Sequence, residues 1–477
     1  MSVNAPDPAS LALTPDEMRA LGYQAVDALV ERWTGLEDAP PLSGASRAEL
    51  DERLAHLAPP PEEGRDPARV LEEAVGQILP LAARVDHPRF WAYVPSAPTW
   101  PSVVADFLVA GHNVFQGTWQ GSAGPSWVEL QVVEWFRQWI RMPEGSGGVF
   151  TSGGSMANFL AVVTALHAAG RPARPAVYMS DQAHSSLARA ARAAGIAPEC
   201  IRILPTGPDL LLDPQAVDAA LTADRQAGLH PVLVCANGGA TNTGRVDPLR
   251  SLVQLARHHG VRCHVDAAFG GFAALVPEGR QALDGLGGAD SITLDPHKWL
   301  FQPFECGCLM VRDIPALEAA FAAEADYLQD TELGREQVNF GARGLQLTRQ
   351  ARALKVWMSV RTFGTEAIRD AVGRGMEMAH RAESMIRARP DLQLLSPATL
   401  GIVAWRCRPP QVPAGQLDAL NRAVQAAVVD GGHAMISSTR LGGEYALRFC
   451  FVNPRVRATD VEAVLDRAVE LARAEGP

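Results

Sequence analysis

The stretch SITLDPHKWLF, residues 291–301, sets a lysine directly after an apolar, β-branched run. Such a run predicts a buried strand, so Lys298 lies just past a strand end and beside Trp299. A lysine amine attacks a carbonyl only when it is unprotonated, which requires partial removal from water. A strand end next to a tryptophan favours that state, whereas a surface lysine would stay charged. Lys298 is therefore a candidate nucleophile.

Short apolar runs alternate with helical stretches from about residue 125 onward. The runs are AVYMS, CIRILP, PVLVCAN, VRCHVDAA, SITLD and GCLMVRD, and predicted helices at 184–195, 214–228 and 247–259 separate several of them. Buried strands that alternate with helices are typical of an α/β fold with a mainly parallel, doubly wound sheet. After about residue 356 a long helix, GIVAWRC, a helix, AMISS, YALRFCFV and a final helix predict a smaller α+β domain.

The first 80 residues predict a helical arm and not a separate domain. Thr14, Pro15 and Glu17 form a helix start with a capping box, and apolar side chains from Met18 to Trp33 follow helical spacing. An arm cannot bury such a stripe alone, so we expect it to pack on another subunit. The predicted organisation is an N-terminal arm at 1–80, a large domain at 81–355 and a small C-terminal domain at 356–477.

Composition and charge exclude several classes of protein. The 477 residues are 47% hydrophobic and 20% charged, which is ordinary for a globular chain. With a net charge of −10, the chain is not expected to bind nucleic acid or an anionic membrane, since both need a basic surface. No apolar run reaches the roughly 20 residues that span a bilayer, and the N-terminus lacks the pattern of a signal peptide. Seven scattered cysteines predict reduced thiols in a cytoplasmic enzyme.

Four candidate groups follow the ends of predicted strands: His184, Thr241, Asp266 and Lys298. In an open α/β sheet, ligands bind at the carboxyl ends of the strands. The turn Ser152–Ser155 opens a helix in the same half of the chain, and its amides suit a phosphate, although such turns are also common as plain connections. A carboxylate after an apolar strand needs a nearby cation. The histidine fits either a plain helix start or a ring over a planar ligand.

Together these groups match the needs of pyridoxal 5′-phosphate (PLP). Lys298 would form the Schiff base, Asp266 would keep the pyridine nitrogen protonated, and the helix start would hold the phosphate. A rival hypothesis uses His264, Asp266, Asp295 and His297 as metal ligands of a hydrolase. That hypothesis leaves the lysine and the Gly-rich turn without a function.

The sequence resembles the group II PLP-dependent amino-acid decarboxylases, and most closely the aromatic-L-amino-acid decarboxylases. Segments in family order extend over nearly the whole chain: FWAYVPS, SDQAHSS, HVDAAFGG, ADSITLDPHKWL, YLQD, LKVW and LRF. The resemblance implies the PLP-dependent fold type I, with the architecture of aspartate aminotransferase. It also implies an obligate homodimer with the active site at the subunit interface.

The resemblance further implies roles for individual residues. The catalytic residues would be Lys298, His184, Asp266 and Tyr327, the last on a mobile loop from which it protonates the substrate carbon after CO2 leaves. The cofactor would contact Gly154, Ser155, His184, Thr241, Asp266, Ala268, Asp295, His297 and Lys298. The substrate would contact Ser96, Tyr93, Val94, Trp119 and His184.

Several positions depart from the family pattern. Val94 replaces an aromatic pocket residue and Val85 an upstream tryptophan, while Trp119 could restore aromatic lining from another wall. Asp295 stands where relatives often carry asparagine near the phosphate, and two negative groups there would repel each other. We therefore expect its carboxylate to point away, or its backbone to make the contact.

The expected reaction is decarboxylation of an L-amino acid, with an aromatic one favoured, to the amine and CO2. Family members that lack the histidine or the loop tyrosine form aldehydes by oxidative deamination, so the presence of His184 and Tyr327 favours simple decarboxylation. The alternatives are an aldehyde-forming oxidative deaminase, a decarboxylase of glutamate or diaminobutyrate, the metal-dependent hydrolase, and a PLP-binding protein without turnover.

Overall fold

Two β-sheets organise the part of the chain that the structure describes. The computed structural model describes residues 11–95, 97–322 and 337–474. Its strands are β1 (Gly147–Thr151), β2 (Pro175–Ser180), β3 (Ile201–Leu204), β4 (His230–Asn237), β5 (Arg262–Asp266), β6 (Ser291–Leu294), β7 (Gly307–Val311), β8 (Leu392–Thr399), β9 (Ile402–Cys407), β10 (Ser437–Leu441) and β11 (Glu444–Cys450). Its α-helices are α1 (Pro15–Thr34), α2 (Arg47–Arg53), α3 (Pro67–Glu73), α4 (Trp100–Gly111), α5 (Trp119–Trp139), α6 (Gly154–Ala168), α7 (Ser185–Ala193), α8 (Pro214–Gln226), α9 (Leu249–His258), α10 (Pro277–Ala282), α11 (Ile314–Phe321), α12 (Ala353–Arg387), α13 (Leu417–Asp430) and α14 (Ala458–Ala474). Each of these helices is too short or too polar to span a lipid bilayer.

The larger sheet has seven strands in the order β1-β7-β6-β5-β4-β2-β3. Strands β6, β5, β4, β2 and β3 pair in parallel, whereas β7 is antiparallel to both β6 and β1. The central strands are buried, with α6 and α9 packed on them, which explains why their sequences are continuously apolar. The mainly parallel sheet confirms the predicted α/β class.

This topology brings the candidate groups to one edge of the sheet. Strands β2, β4, β5 and β6 end at Ser180, Asn237, Asp266 and Leu294. Because parallel strands share one carboxyl edge, the segments that follow these four residues lie side by side. The sequence pattern alone therefore locates the site.

The smaller sheet is antiparallel, in the order β10-β11-β9-β8, and α13 and α14 pack on it. Helix α12 leads into it over 35 residues and has a kink at Gly364, where φ is +76°. This arrangement matches the predicted α+β order of elements, with β8 as a further strand that the sequence analysis did not predict. The domain boundaries at residues 80 and 355 stay predictions.

Helix α1 leaves much of its apolar stripe exposed, although Trp33 at its end packs on Trp100. The predicted capping box is present, since Glu17 N donates to Thr14 Oγ1 at 3.3 Å and Thr14 N donates to Glu17 Oε2 at 2.7 Å. No residue of α1 is buried, and Met18 is 54% exposed. Arg32 anchors the last turn of the helix through an ion pair with Asp86 at 2.7 Å.

Candidate active site

One cavity of about 320 Å³ lies at the carboxyl edge of the larger sheet. It is lined by His184 after β2, Thr241 after β4, Asp266 at the end of β5 and Lys298 after β6, together with the turn at 153–155 before α6. Its volume falls in the range of small-molecule and cofactor sites. The structure therefore brings together the four side chains that follow the predicted strands.

Lys298 is charged and paired in this structure. Its Nζ lies 3.0 Å from Oδ2 of Asp295, and its side chain is 22% exposed. Burial alone would lower the pKa of the Lys298 amine, but the carboxylates of Asp295 and Asp266 outweigh burial and raise the pKa above its ordinary value. The expectation of a neutral amine is therefore wrong for the protein without cofactor. The amine has to lose a proton before it can attack a carbonyl.

Of the two arrangements expected for Asp295, a carboxylate that points away is wrong, because the side chain lines the cavity, and the backbone contact stays a prediction. The residue is 1% exposed. Its Oδ2 lies 3.0 Å from Lys298 Nζ and 3.5 Å from His297 Nε2. Its Oδ1 receives no hydrogen bond from any described residue. A buried oxygen without a donor is unfavourable, so this part of the site is incomplete without a ligand.

Asp266 is the opposite case, since both of its oxygens are occupied. Its Oδ2 accepts a hydrogen bond from Asn158 Nδ2 at 2.8 Å, and its Oδ1 accepts one from the backbone amide of Ala268 at 3.2 Å. The residue is 7% exposed and lines the cavity. A fixed carboxylate with little water around it favours a positive charge on the group that it faces, as a pyridine nitrogen requires to draw electrons.

Sequence reasoning missed Asn158, which orients Asp266 from helix α6. Its Oδ1 accepts hydrogen bonds from Nε2 of His264 at 3.0 Å and from Oγ1 of Thr293 at 2.7 Å. Its NH2 group is therefore turned toward Asp266 and toward Oγ of Ser186, at 2.9 Å. The residue is buried. A lone amide in the apolar segment NFLAVVTAL was the signal in the sequence.

His184 caps helix α7 and carries a neutral ring. Its Nδ1 accepts a hydrogen bond from the backbone amide of Ser186 at 3.3 Å and lies 2.7 Å from Ser186 Oγ. Because that hydroxyl already accepts a bond from Asn158, its own proton goes to Nδ1, which leaves the ring proton on Nε2. The residue reaches solvent through the cavity, but partial burial of its ring lowers the pKa of His184. It is thus both a helix cap and part of the cavity wall.

The turn before α6 fits a phosphate group. Helix α6 begins at Gly154 without a capping bond from a described side chain, and the amides of Met156 and Ala157 donate to the carbonyl of Gly153, which leaves the amides of Gly154 and Ser155 for an anion. A Cβ on Gly154 would lie 2.9 Å from Asp295 Oδ2 and 3.1 Å from Ala268 Cβ, and a Cβ on Gly153 would lie 3.1 Å from His297 Cε1. A side chain at either position would therefore crowd the residues that line the cavity. With the amine, the carboxylate and the histidine, this turn completes a set of residues that fits PLP.

Arg448 is a second residue that sequence reasoning did not assign, although it lies in the quoted motif LRF. It is buried on β11 and donates to the carbonyl of Thr241 at 2.6 Å and to the carbonyl of Tyr93 at 2.8 Å. Burial lowers its pKa, yet a guanidinium stays charged at neutral pH. Arg448 thus joins the smaller sheet to the loop after β4, on one side of the cavity.

Of the predicted substrate residues, His184 lines the cavity, whereas Tyr93, Val94 and Trp119 do not. Tyr93 is 62% exposed, Val94 packs against the core of the larger sheet, and Trp119 begins helix α5. None of these three lines the cavity. Ser96 and Tyr327 lie outside the described residues. The roles of all five as substrate or proton-transfer residues stay predictions.

The ligands of the metal-site hypothesis are not arranged to bind an ion. Both ring nitrogens of His264 already have partners, since Nδ1 lies 2.9 Å from Ser291 Oγ and Nε2 lies 3.0 Å from Asn158 Oδ1. Over 11–95, 97–322 and 337–474, no group of three or more His, Cys, Asp or Glu side chains is placed to hold a metal ion. The hydrolase hypothesis therefore has no ligand set in this part of the chain.

Comparison with known proteins identifies the family. Residues 53–408 match the model described as the pyridoxal-dependent decarboxylase conserved domain. An aromatic-L-amino-acid decarboxylase of Bacillus atrophaeus is 35% identical, with 97% of each chain covered, and a phenylacetaldehyde synthase of Arabidopsis thaliana is 31% identical, with 91% of each chain covered. The fold is similar to that of Oryza sativa TDC, solved with PLP and tryptamine, with a TM-score of 0.92 and 28% identity over 99% of this chain and 100% of that chain. The chain belongs to the pyridoxal-dependent decarboxylase family, and it is a PLP-dependent carboxy-lyase of fold type I.

Proposed function

We propose that the protein decarboxylates an aromatic L-amino acid to its amine and CO2. The observation that carries the proposal is the single cavity lined by the amine of Lys298 and the hydrogen-bonded carboxylate of Asp266. Relatives support the aromatic substrate. One is named an aromatic-L-amino-acid decarboxylase, and another, from Oryza sativa at 33% identity, is named a tyrosine decarboxylase.

Each residue of the cavity has a separate task in this reaction. PLP, when bound, supplies the sink for the electron pair that CO2 leaves behind. Lys298 contributes the amine that binds the cofactor, and Asp266 stabilises a positive charge at the ring nitrogen. His184 covers the ring with a neutral imidazole. The amides of the first turn of α6 hold the phosphate, with Gly154 and Ser155 nearest to it.

Proton delivery to the substrate carbon decides between two products. We assign this step to Tyr327, which the family resemblance places on a loop outside the described residues. A phenylacetaldehyde synthase among the relatives makes aldehyde formation the second candidate reaction. That reaction consumes O2 and water and releases ammonia and hydrogen peroxide with the aldehyde and CO2, so a peroxide assay with phenylalanine, tyrosine and tryptophan separates the two. Tyr327→Phe should raise the peroxide yield.

We also propose a homodimer with each active site at the subunit interface. Apolar side chains that one chain leaves exposed on α1, α4 and α5 support it: Met18, Tyr23, Val26, Val30, Phe107, Leu108 and Trp127. Phe304 is 54% exposed although it contacts the ring of His297, with 5.0 Å between ring centroids, so a partner would close this side of the cavity. Sedimentation velocity should give a two-chain species, and a monomer with full activity would contradict the proposal.

We further propose that the protein works in the cytoplasm. Its seven cysteines are all buried and free, which suits a reducing compartment. Fractionation of cells that express the protein at its natural level should recover the decarboxylase activity with cytoplasmic markers. Recovery with an extracytoplasmic fraction would contradict this assignment.

A borohydride trap tests the cofactor and the lysine together. Lys298 and Lys355 are the two lysines of the chain. Reduction of the PLP-loaded protein should therefore fix one pyridoxyl group, found at Lys298 by peptide mass spectrometry. Lys355→Arg is the matched control and should keep the adduct, because Lys355 is paired with Asp106 at 2.7 Å. A protein that stays colourless with added PLP and gains no adduct would overturn the proposed function.

A substrate panel scored by CO2 release tests the substrate class. The panel contains tryptophan, tyrosine, phenylalanine, glutamate and 2,4-diaminobutyrate, and the highest kcat/KM should belong to an aromatic member. Faster turnover of glutamate or diaminobutyrate would contradict the aromatic assignment. PLP binding without turnover of any member would indicate a catalytically silent protein.

A further inference from the structure

We propose that Asp295 carries a proton in the PLP-loaded protein and donates it in a hydrogen bond to the cofactor phosphate, so that loading takes up one proton per site. The inference rests on the proposed function, because it requires PLP with its phosphate at the start of α6. It gives Asp295 a positioning role that the family resemblance does not supply, since relatives often carry asparagine at this place.

Asp295 adjoins the turn that fits the phosphate. A Cβ added to Gly154 would lie 2.9 Å from Oδ2 and 3.4 Å from Oδ1, so both carboxylate oxygens face the first residue of α6. At 1% exposure the side chain has almost no contact with water. An anion held by the amides of this turn would meet the carboxylate at close range. Two adjoining negative groups with little water between them do not both stay ionised.

The partner that now balances Asp295 is the amine that the cofactor takes. Oδ2 is compensated by Lys298 Nζ at 3.0 Å, with His297 Nε2 at 3.5 Å. The backbone amide of Cys306 donates to His297 Nδ1 at 3.0 Å, and burial lowers the pKa of His297, so this imidazole is neutral with its proton on Nε2. Loading therefore takes the amine that pairs with Asp295 into a bond with the cofactor while it adds the phosphate.

The second carboxylate oxygen has the geometry that the proposal needs. Oδ1 of Asp295 is buried and receives no hydrogen bond from the described part of the chain. A neutral carboxyl group has one O–H donor, as an asparagine amide has N–H donors, so it can bond a phosphate oxygen. A proton on Asp295 would thus replace the repulsion between the carboxylate and the phosphate by a hydrogen bond. The buried oxygen Oδ1 would then have a partner.

Other titratable groups near Asp295 do not substitute for this proton. They are Lys298 and His297 from its own turn, His184 from the start of α7, Asp266 from β5, Glu305 and Cys306 before β7, and Cys308 on β7. Lys355 of α12 and Arg352 just before it, which act on His297 and Cys306, are already paired with Asp106 at 2.7 Å and Glu305 at 3.8 Å, respectively. Asp266 and Glu305 are acids and add negative charge. Burial raises the pKa of Cys306 to about 12 and keeps the imidazole of His184 neutral, so neither supplies a cation near pH 7.

The test is the pH dependence of PLP affinity in the wild type and in Asp295→Asn. Asparagine already donates to the phosphate and takes up no proton. From about pH 7 to about pH 9 the wild type must bind one more proton on loading, so the affinity of the variant relative to wild type should rise about tenfold per pH unit. Titration of the cofactor-free proteins with PLP, followed by tryptophan fluorescence, gives the two dissociation constants.

Pyridoxal, which has the aldehyde but no phosphate, is the matched ligand control. With pyridoxal the affinity ratio should stay constant over the same pH range, since Asp295 then meets no second anion. A ratio that rises equally with pyridoxal would tie the proton to Lys298 and overturn the inference, and so would a flat ratio with PLP. Wild-type protein that binds no PLP would overturn the proposed function instead, so the two failures are distinguishable.

Infrared difference spectroscopy gives a second readout that does not depend on a stable variant. Loading wild-type protein with PLP should produce the carbonyl band of a protonated carboxyl group, shifted in D2O, and pyridoxal should not produce it. A folded Asp295→Asn protein should lack the band. Loaded wild-type protein without such a band would overturn the inference even where the variant does not fold.

Discussion

Two buried carboxylates adjoin Lys298, and the protein holds them in different ways. Both oxygens of Asp266 accept hydrogen bonds, from Asn158 and from the backbone amide of Ala268. Asp295 pairs with the lysine through one oxygen and has no donor for the other among the described residues. Asp266 is therefore the carboxylate that hydrogen bonds hold in place, and Asp295 is the one that we propose to take up a proton when the cofactor binds.

A single helix serves both carboxylates. Gly154 and Asn158 are four residues apart on α6 and so lie on the same face. At the first position the missing side chain leaves room for Asp295 itself, since an added Cβ would lie 2.9 Å from its Oδ2, and at the second the amide fixes Asp266. The face of α6 that borders the cavity thus adjoins both Asp295 and Asp266.

Removal of Lys298, the cation beside Asp295 and Asp266, should have the largest effect on activity. Lys298→Ala leaves two buried acids in one cavity without an amine to bind the cofactor, and kcat/KM for amine formation should fall at least about a thousandfold. Lys355→Arg keeps a cation beside Asp106 and should stay within a few-fold of wild type. Activity of Lys298→Ala within tenfold of wild type would refute the role of the lysine.

Neutralising the two carboxylates one at a time should give unlike results. Asp266→Asn should lower kcat about 100- to 1000-fold at saturating PLP, because the ring nitrogen loses the fixed charge that favours its proton. Asp295→Asn should leave PLP affinity equal or higher. Parallel steady-state assays and PLP titrations of both variants measure the difference. Equal losses of kcat and of PLP affinity in both variants would mean that the two carboxylates have the same role.

The sequence was sufficient to locate the site because strand ends are visible in it. Apolar β-branched runs mark the buried strands, and parallel strands end at one edge, so His184, Thr241, Asp266 and Lys298 had to lie together. The same pattern predicted the α/β class, and the order of motifs predicted the family. Those inferences depend on spacing along the chain, which the sequence contains directly.

The charge states could not be predicted in this way. They depend on contacts of about 3 Å between side chains, such as Lys298 with Asp295, whose direction no motif specifies. Asn158 and Asp266 are 108 positions apart in sequence, so their bond exists only after the sheet and α6 have packed together. Tyr93 and Trp119 do not line the cavity of one chain. The residues that would form the substrate pocket therefore could not be predicted from motifs within a single chain.

The amide that fixes Asp266 should matter less than the carboxylate itself. Asn158→Ala leaves Oδ2 of Asp266 without its donor, so kcat should fall about 10- to 100-fold, the usual effect of removing a residue that orients a site group. Thr164→Ala is the matched control, a buried polar position of the same helix whose hydroxyl bonds to the carbonyl of Leu160. It should change kcat by less than about twofold. Equal losses in the two variants would indicate a general defect of α6.

The smallest effect is expected at Ser186, which connects Asn158, the partner of Asp266, to His184 in the cavity wall. Ser186→Ala removes the hydroxyl that donates to Nδ1 of His184, a bond that favours the neutral ring. The pKa of His184, now below its ordinary 6.5, should rise toward that value, so a larger fraction of the ring is charged as the pH falls. Because an imidazolium would repel a positively charged cofactor ring, kcat should drop a few-fold near about pH 6 and stay close to wild type near about pH 8.

Two measurements separate this effect from a loss of helix α7. Histidine NMR of the cofactor-free protein should show a higher titration midpoint for His184 in Ser186→Ala, together with a mixture of ring tautomers where the wild type carries its proton on Nε2. Ser185→Ala, at the exposed first position of the same helix, should change neither midpoint nor pH–rate profile. An unchanged midpoint in Ser186→Ala would mean that burial alone sets the charge of His184. The network from Asp266 through Asn158 to Ser186 would then hold its residues in place without tuning the ring.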